Sequence, residues 1–218
     1  MTPAAIIFDL DGTLLDTSED LADSSNRALQ RLDAPPHTVA DYMTFIGAGA
    51  VELVRCALPE DRRDPATITR CLELFREEYG KAWNVKTRPY PGILDMLDDI
   101  VDRAIPMAVL SNKPENFAVL AVKAYFGEYP FLRVAGAVDG VPRKPDPSVA
   151  LEMAEGFGHR PNSCWFVGDS GIDMETGKRA GMRSIGVLWG FRKQAELLER
   201  GATTLVGHPR ELVALLDG

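Results

Sequence analysis

The chain has 218 residues, 45% of them hydrophobic and 26% charged, with 24 Lys and Arg against 32 Asp and Glu. That is ordinary globular composition, long enough to bury a core as one large domain or two small ones. A formal charge of −8 argues against broad nucleic-acid binding, and no apolar run approaches the roughly 20 residues that span a membrane.

Cys56, Cys71 and Cys164 are odd in number, far apart and free of C-x-x-C spacing. They suggest neither a zinc cluster nor a disulfide framework, so a cytoplasmic location is expected. The N-terminus lacks a basic stretch followed by a long apolar run, so no signal peptide is expected.

The first predicted element is a strand over residues 4–8, apolar throughout, as a strand covered on both faces should be. It runs into "DLDGT", where Asp9 and Asp11 stand one residue apart. An Asp-Gly step often only closes a turn, but burying two carboxylates needs a further reason. Residues 17–79 change character. "TSEDLADSSNRALQRL" opens with an N-cap signal and continues at helical spacing. "TVADYMTFI" and "AVELVRCAL" read as short helices around "GAG", and an amphipathic helix starts at Pro65. No convincing strand is found in this block.

"TRPYPG" then marks a boundary, and the pattern alternates. "ILDMLDDIV" is helical and "IPMAVLS" is a strand ending at Ser111. "PENFAVLAVKAYF" is helical, and "FLRVAGAV" is a strand followed by a loop with "RKPDP". "PSVALEMAEGF" is helical and "CWFVGDS" is a strand ending at Asp169. "DMETGKRA", "RSIGVLW", "KQAELLER", "TTLVG" and "PRELVALL" complete the alternation. The fold expected is α/β: a Rossmann-like parallel sheet with helices on both faces, interrupted by an all-helical insertion. Residues 1–15 and 88–218 form the core, and 16–87 form the insertion.

Ligands of open parallel sheets bind beyond the carboxyl ends of the strands. Those ends carry Asp9 and Asp11, Ser111 and Asn112, Arg143 and Lys144, and Asp169 with Asp173 four residues on. Clustered carboxylates repel unless a cation is present, and oxygen ligands favour Mg²⁺. A lysine and a small hydroxyl beside them suit a phosphoryl group, and an aspartate can itself serve as nucleophile. Asp173 could instead be a helix N-cap, and Ser111 could cap the helix that follows it. Lys113 and Arg143 are read as solvated surface charges, and Trp83 and Trp189 as packing residues.

"DLDGT", "SN", "RKP" and "GDSGID" resemble, in order and spacing, the four motifs of the haloacid dehalogenase-like hydrolases. The resemblance covers almost the whole chain. "SNKP", "RKPDP" and "GVLWG" are most similar to the phosphoglycolate phosphatase branch. The resemblance implies an Mg²⁺-dependent phosphomonoesterase. Asp9 would be the nucleophile that becomes a phosphoaspartate, and Asp11 the acid and then the base. Ser111, Asn112 and Lys144 would bind the phosphoryl group, with Lys144 also neutralising the nucleophile. The metal would be held by Asp9, Asp169 and the Asp11 carbonyl, with Asp173 as a further ligand or as an orienter. Residues 16–87 would be a cap hinged at about 15–18 and 86–91, and Gly49 would contact substrate from it.

The expected partner is a small phosphorylated metabolite, 2-phosphoglycolate first, with no nucleic acid, no membrane, and a monomer or homodimer. Pyrophosphatase, sugar-phosphate phosphatase and β-phosphoglucomutase are the alternatives, and a non-catalytic binding protein is the remote one. The mutase is disfavoured because the cap loop "GAGA" is uncharged. C–halogen hydrolysis is disfavoured because those enzymes lack an acid at the position of Asp11.

Overall fold

Ala5–Phe8 forms strand β1 of the computed structural model, which describes residues 2–217. Its side chains alternate between two cores. Ile6 and Phe8 face one apolar cluster, and Ala5 and Ile7 face another. Both faces of the strand are therefore dry, which accounts for its lack of polar alternation.

The chain leaves β1 through the short strand β2 (Leu15–Asp16) and enters four helices. These are α1 (Ser18–Gln30), α2 (Val39–Phe45), α3 (Ala50–Ala57) and α4 (Pro65–Ala82). Thr38 and Asp41 close a capping box on α2, while the Asp64 carboxylate accepts from Ala66 N and Thr67 N to cap α4. The four helices bury their own cluster, including Leu29, Tyr42, Leu53, Val54, Leu74 and Phe75.

The chain returns through β3 (Arg88–Pro89), antiparallel to β2. This two-residue ribbon is a correction to the sequence reading, which placed no strand here. Two residues are too few for a periodic signal. Asp20 of α1 fastens the return linker: its buried carboxylate accepts from Lys86 N, Thr87 N and Thr87 Oγ1.

The rest alternates. It runs through α5 (Ile93–Asp102), β4 (Met107–Pro114), α6 (Glu115–Phe126), β5 (Phe131–Ala137) and α7 (Ser148–Gly156). It continues with β6 (Cys164–Gly168), α8 (Gly171–Ala180), β7 (Arg183–Val187), α9 (Gln194–Arg200), β8 (Thr204–Val206) and α10 (Pro209–Leu216). Six strands pair in parallel in the order β5-β4-β1-β6-β7-β8. In α5, Ile93, Met96, Leu97 and Ile100 are buried at helical spacing against one sheet face, while Val149, Ala150 and Met153 of α7 cover the other.

Phe8 lies in register with both Val109 and Val167. The residues just beyond these strands therefore emerge side by side at one rim, at the centre of the sheet. β4 is longer than expected and runs through Pro114, which pairs with Ala137 after a register shift. No helix among the described residues is long and apolar enough to cross a membrane.

Candidate active site

Asp9, Asp169 and Asp173 meet at that rim, each buried, with carboxylate oxygens all within 4.8 Å of one another. Lys144 reaches in from the loop after β5. Its ammonium is 2.7 Å from Asp9 Oδ1 and 2.6 Å from Asp173 Oδ1. The first contact is an ion pair rather than an aligned hydrogen bond, because no donor points along the Asp9 Oδ1 lone pairs.

Burial, reinforced by Asp173, pushes the Asp9 carboxyl up to about 7. Burial, with Asp173 and Asp9 adding to it, raises Asp169 well above the usual carboxylate range. Burial opposes the charge on Lys144, but Asp173 and Asp9 outweigh it and hold the lysine protonated.

Asp11 does not join the cluster through its side chain. Lys113 Nζ holds both of its oxygens, at 3.0 and 3.1 Å. The reading of Lys113 as a solvated surface charge is therefore corrected: its side chain is 3% exposed. The continuation of β4 past Ser111 carries it inward, so it returns to the site instead of leaving in a surface loop. Arg143 is exposed, as expected.

Ser111 is buried at the rim and borders a cavity of about 50 Å³ next to Asp9 and Asp11. It does not cap α6, whose N-cap is Pro114. The Asn112 side-chain amide donates to Gly47 O at 3.0 Å and Lys144 O at 3.1 Å. It joins the helical insertion to the lysine loop, and both of its donor hydrogens are committed there. Gly49 borders the same cavity, and its φ of +94° places it in the region that favours glycine.

Asp173 is not the N-cap of α8, a correction to one of its readings: Ser170 holds that position, and Asp173 stands three residues on, where its carboxylate closes the capping box. Its Oδ2 accepts from Ser170 N and Ser170 Oγ in the capping box of α8, while Oδ1 faces Lys144. Asp169 is held from two other elements. Thr13 Oγ1 donates to Oδ1 at 3.3 Å and Phe191 N donates to Oδ2 at 2.8 Å. Trp189, read as packing alone, also donates its indole N–H to Thr13 O at 2.9 Å. A side chain at Gly190 would collide with Asp169 and with Gly12 O.

The sequence reading missed Thr13, Lys113 and the 189–192 strap. Thr13 stands within "DLDGT" and Lys113 within "SNKP", so proximity to the motifs was the available signal for both. The role of Phe191 is carried by its backbone N–H, which leaves no mark in the sequence.

Four carboxylates, Asp9, Asp11, Asp169 and Asp173, thus face two ammonium groups, Lys113 and Lys144. The surplus of buried negative charge and the undirected Asp9 Oδ1 suit a hard divalent cation with oxygen ligands.

Residues 6–187 match the family described as haloacid dehalogenase-like hydrolase, and the chain belongs to it. Within that family it falls in the phosphatase branch. It is 32% identical to phosphoglycolate phosphatase 1 of Pseudomonas aeruginosa over 99% of this chain and 80% of that protein. It is 32% identical to the phosphoglycolate phosphatase of Aquifex aeolicus, covering 97% of this chain and 96% of that one. The crystal structure of a candidate phosphoglycolate phosphatase from Lactobacillus delbrueckii subsp. bulgaricus superposes with a TM-score of 0.92, at 32% identity and 99% coverage of both chains.

Proposed function

We propose that the chain is a Mg²⁺-dependent phosphomonoesterase that works through an aspartyl phosphate on a small phosphorylated acid, with 2-phosphoglycolate the best-fitting substrate. The observation that carries this reading is the buried Asp9–Lys144 pair at the end of the central strand, within an acidic cluster and beside a cavity under the helical insertion. The phosphoglycolate phosphatases among the relatives supply the substrate.

In the first step an Asp9 oxygen attacks phosphorus as the bond to the leaving oxygen breaks, and Asp11 gives that oxygen its proton. Lys144 lies against Asp9 and offsets the charge gathered on nucleophile and phosphoryl group. Ser111 binds a phosphoryl oxygen. In the second step Asp11 takes a proton from water as its oxygen attacks phosphorus, and Asp9 leaves as a carboxylate. Asp9, Asp169 and the Asp11 carbonyl are the groups to hold Mg²⁺, which when bound would withdraw charge from the phosphoryl oxygens. Asp173 orients Lys144, and Asn112 fixes the lysine loop against Gly47.

Residues 16–87 act as a cap over this site, hinged at the β2–β3 ribbon, and Gly49 forms part of its inner wall. The setting is cytoplasmic, which the three unpaired cysteines support, and the working unit is a monomer or homodimer.

A panel of small phosphate esters tests the reading. Phosphate release should be greatest from 2-phosphoglycolate, should stop with a chelator, and should fall at least about a thousandfold in Asp9→Asn. Full turnover in that variant would overturn the mechanism. Faster release from pyrophosphate or a sugar phosphate would overturn the substrate.

A further inference from the structure

The cavity beside Asp9 and Asp11 has walls the catalytic steps do not use. Leu21, Ile46, Leu53 and Phe75 come from the helical insertion, and Phe117 comes from α6. Two buried polar side chains interrupt this apolar lining, apart from the catalytic rim. Lys113 enters from β4 and Tyr79 from α4. The Lys113 ammonium lies 4.9 Å from the centroid of the Tyr79 ring. The Tyr79 side chain is 2% exposed, and its hydroxyl lies close to the Lys113 ammonium but makes no hydrogen bond of ordinary geometry among the described residues.

A buried hydroxyl without a partner is costly, by about 1–3 kcal/mol, and at the wall of a cavity a ligand can offset that cost by completing it. Lys113 has three donor hydrogens, and its contacts to Asp11 use at most two. Donor capacity therefore remains on both groups, side by side, in a space that offers no carboxylate besides Asp9 and Asp11. Sugar hydroxyls would meet mainly leucine, isoleucine and phenylalanine there, with donors but few acceptors, and would leave much of their hydrogen-bonding capacity unmet, which selects against them. A compact anion one or two bonds from the ester carbon would find both donors.

We propose that Lys113 and Tyr79 form the subsite for a second anionic group on the substrate, a carboxylate attached close to the phosphate ester, and so set the preference for small phosphorylated acids. The assignment rests on the phosphomonoesterase reading above and adds to it the residues that select the acid. Arg76 borders the same cavity, but it stands at the exposed lip, where water competes for its charge.

The test compares two esters of similar size, 2-phosphoglycolate and ethyl phosphate, which lacks the carboxylate. The wild type should prefer the first by at least about tenfold in kcat/KM. Tyr79→Phe and Lys113→Met should each reduce that preference about 10- to 100-fold, the range for a hydrogen bond to a charged group. The loss should fall mainly in KM for Tyr79→Phe, and Arg76→Ala should change the preference less than either. Calorimetric titration of 2-phosphoglycolate into the Asp9→Asn protein, with and without Tyr79→Phe, should show the same weakening without turnover. Tyr79→Phe removes one oxygen from a folded core, so it guards against misfolding of the Lys113 variant. A preference unchanged in Tyr79→Phe, or equal wild-type rates on both esters, would overturn this assignment alone. No hydrolysis of either ester by the metal-loaded wild type would overturn the phosphatase reading and this one with it.

Discussion

Lys144 Nζ lies 2.6 Å from Asp173 Oδ1, with both groups buried. The second oxygen of Asp173 is already taken by Ser170 at the start of α8, so the lysine is braced by a helix N-terminus. Asp173→Asn keeps the shape and removes the charge, and kcat should fall about 10- to 100-fold. Asp173→Ala also removes the acceptor for Ser170 N, and should cost about 1 kcal/mol more in stability, or roughly 2–4 °C in Tm. Steady-state kinetics and thermal unfolding of the two variants check this. A kcat within twofold of wild type in Asp173→Asn would show that Lys144 needs no brace.

The crowded carboxylates make stability depend on pH and metal. The Asp9 carboxyl is raised, chiefly by burial, from an ordinary 3.8 to about 7, and Asp169 is raised in the same direction. A raised group means that the folded state holds a proton the unfolded chain has released. The stability linked to it is complete below about 4 and is lost as pH climbs toward 7. Glu77, held down to about 2 by Lys81 and Arg31, acts only at the acid end. With a chelator present, Tm should therefore be several degrees lower at pH 8 than at pH 5. Millimolar Mg²⁺ should narrow the gap by binding the deprotonated cluster. Equal Tm values at both pH values in chelator would count against a buried surplus of negative charge.

Two glycines should respond in opposite directions to alanine. Gly80 lies within α4 with open space where a Cβ would go, so Gly80→Ala should stabilise by roughly 0.5–1 kcal/mol. Gly190 sits against Asp169 and Gly12 O, so Gly190→Ala forces apart groups at the site. It should destabilise by about 1–3 kcal/mol and also reduce turnover. Denaturant unfolding of both, with kinetics of the second, separates the cases.

Much of this arrangement was legible because each strand reads as an apolar run, and the residue after it is fixed by chain direction. β1 and β6 are buried from end to end, so Asp9 and Asp169 could be placed at one rim before their neighbours were known. Lys113 was not legible. Solvent or site depends on whether β4 stops at Ser111 or continues, and that is set by its pairing with Ala137 on β5, a partner distant in sequence. The same limit hid Tyr79. Its place on the buried side of α4 follows from helical spacing, but its position over Lys113 depends on how the insertion lies on the core. The strap at 189–192 acts partly through a backbone N–H, and any residue but proline supplies one.

That strap also joins the acidic cluster to the helical insertion. Phe191 N binds Asp169, and the next residue, Arg192, donates through Nη1 to Met43 O and through Nη2 to Thr44 O and Ile46 O. These carbonyls end α2, where a helix presents unpaired acceptors and the negative end of its dipole. A planar guanidinium can serve several such acceptors at once, whereas a lysine ammonium concentrates its charge at one point. Arg192→Ala should therefore loosen the insertion from the core, raising KM several-fold and speeding proteolysis near the β2–β3 ribbon. Arg192→Lys should behave much more like Ala than like the wild type. Limited proteolysis and solution scattering, run beside kinetics, report the loosening without relying on turnover. Wild-type kinetics and wild-type protection in Arg192→Ala would show that these contacts do not hold the insertion closed.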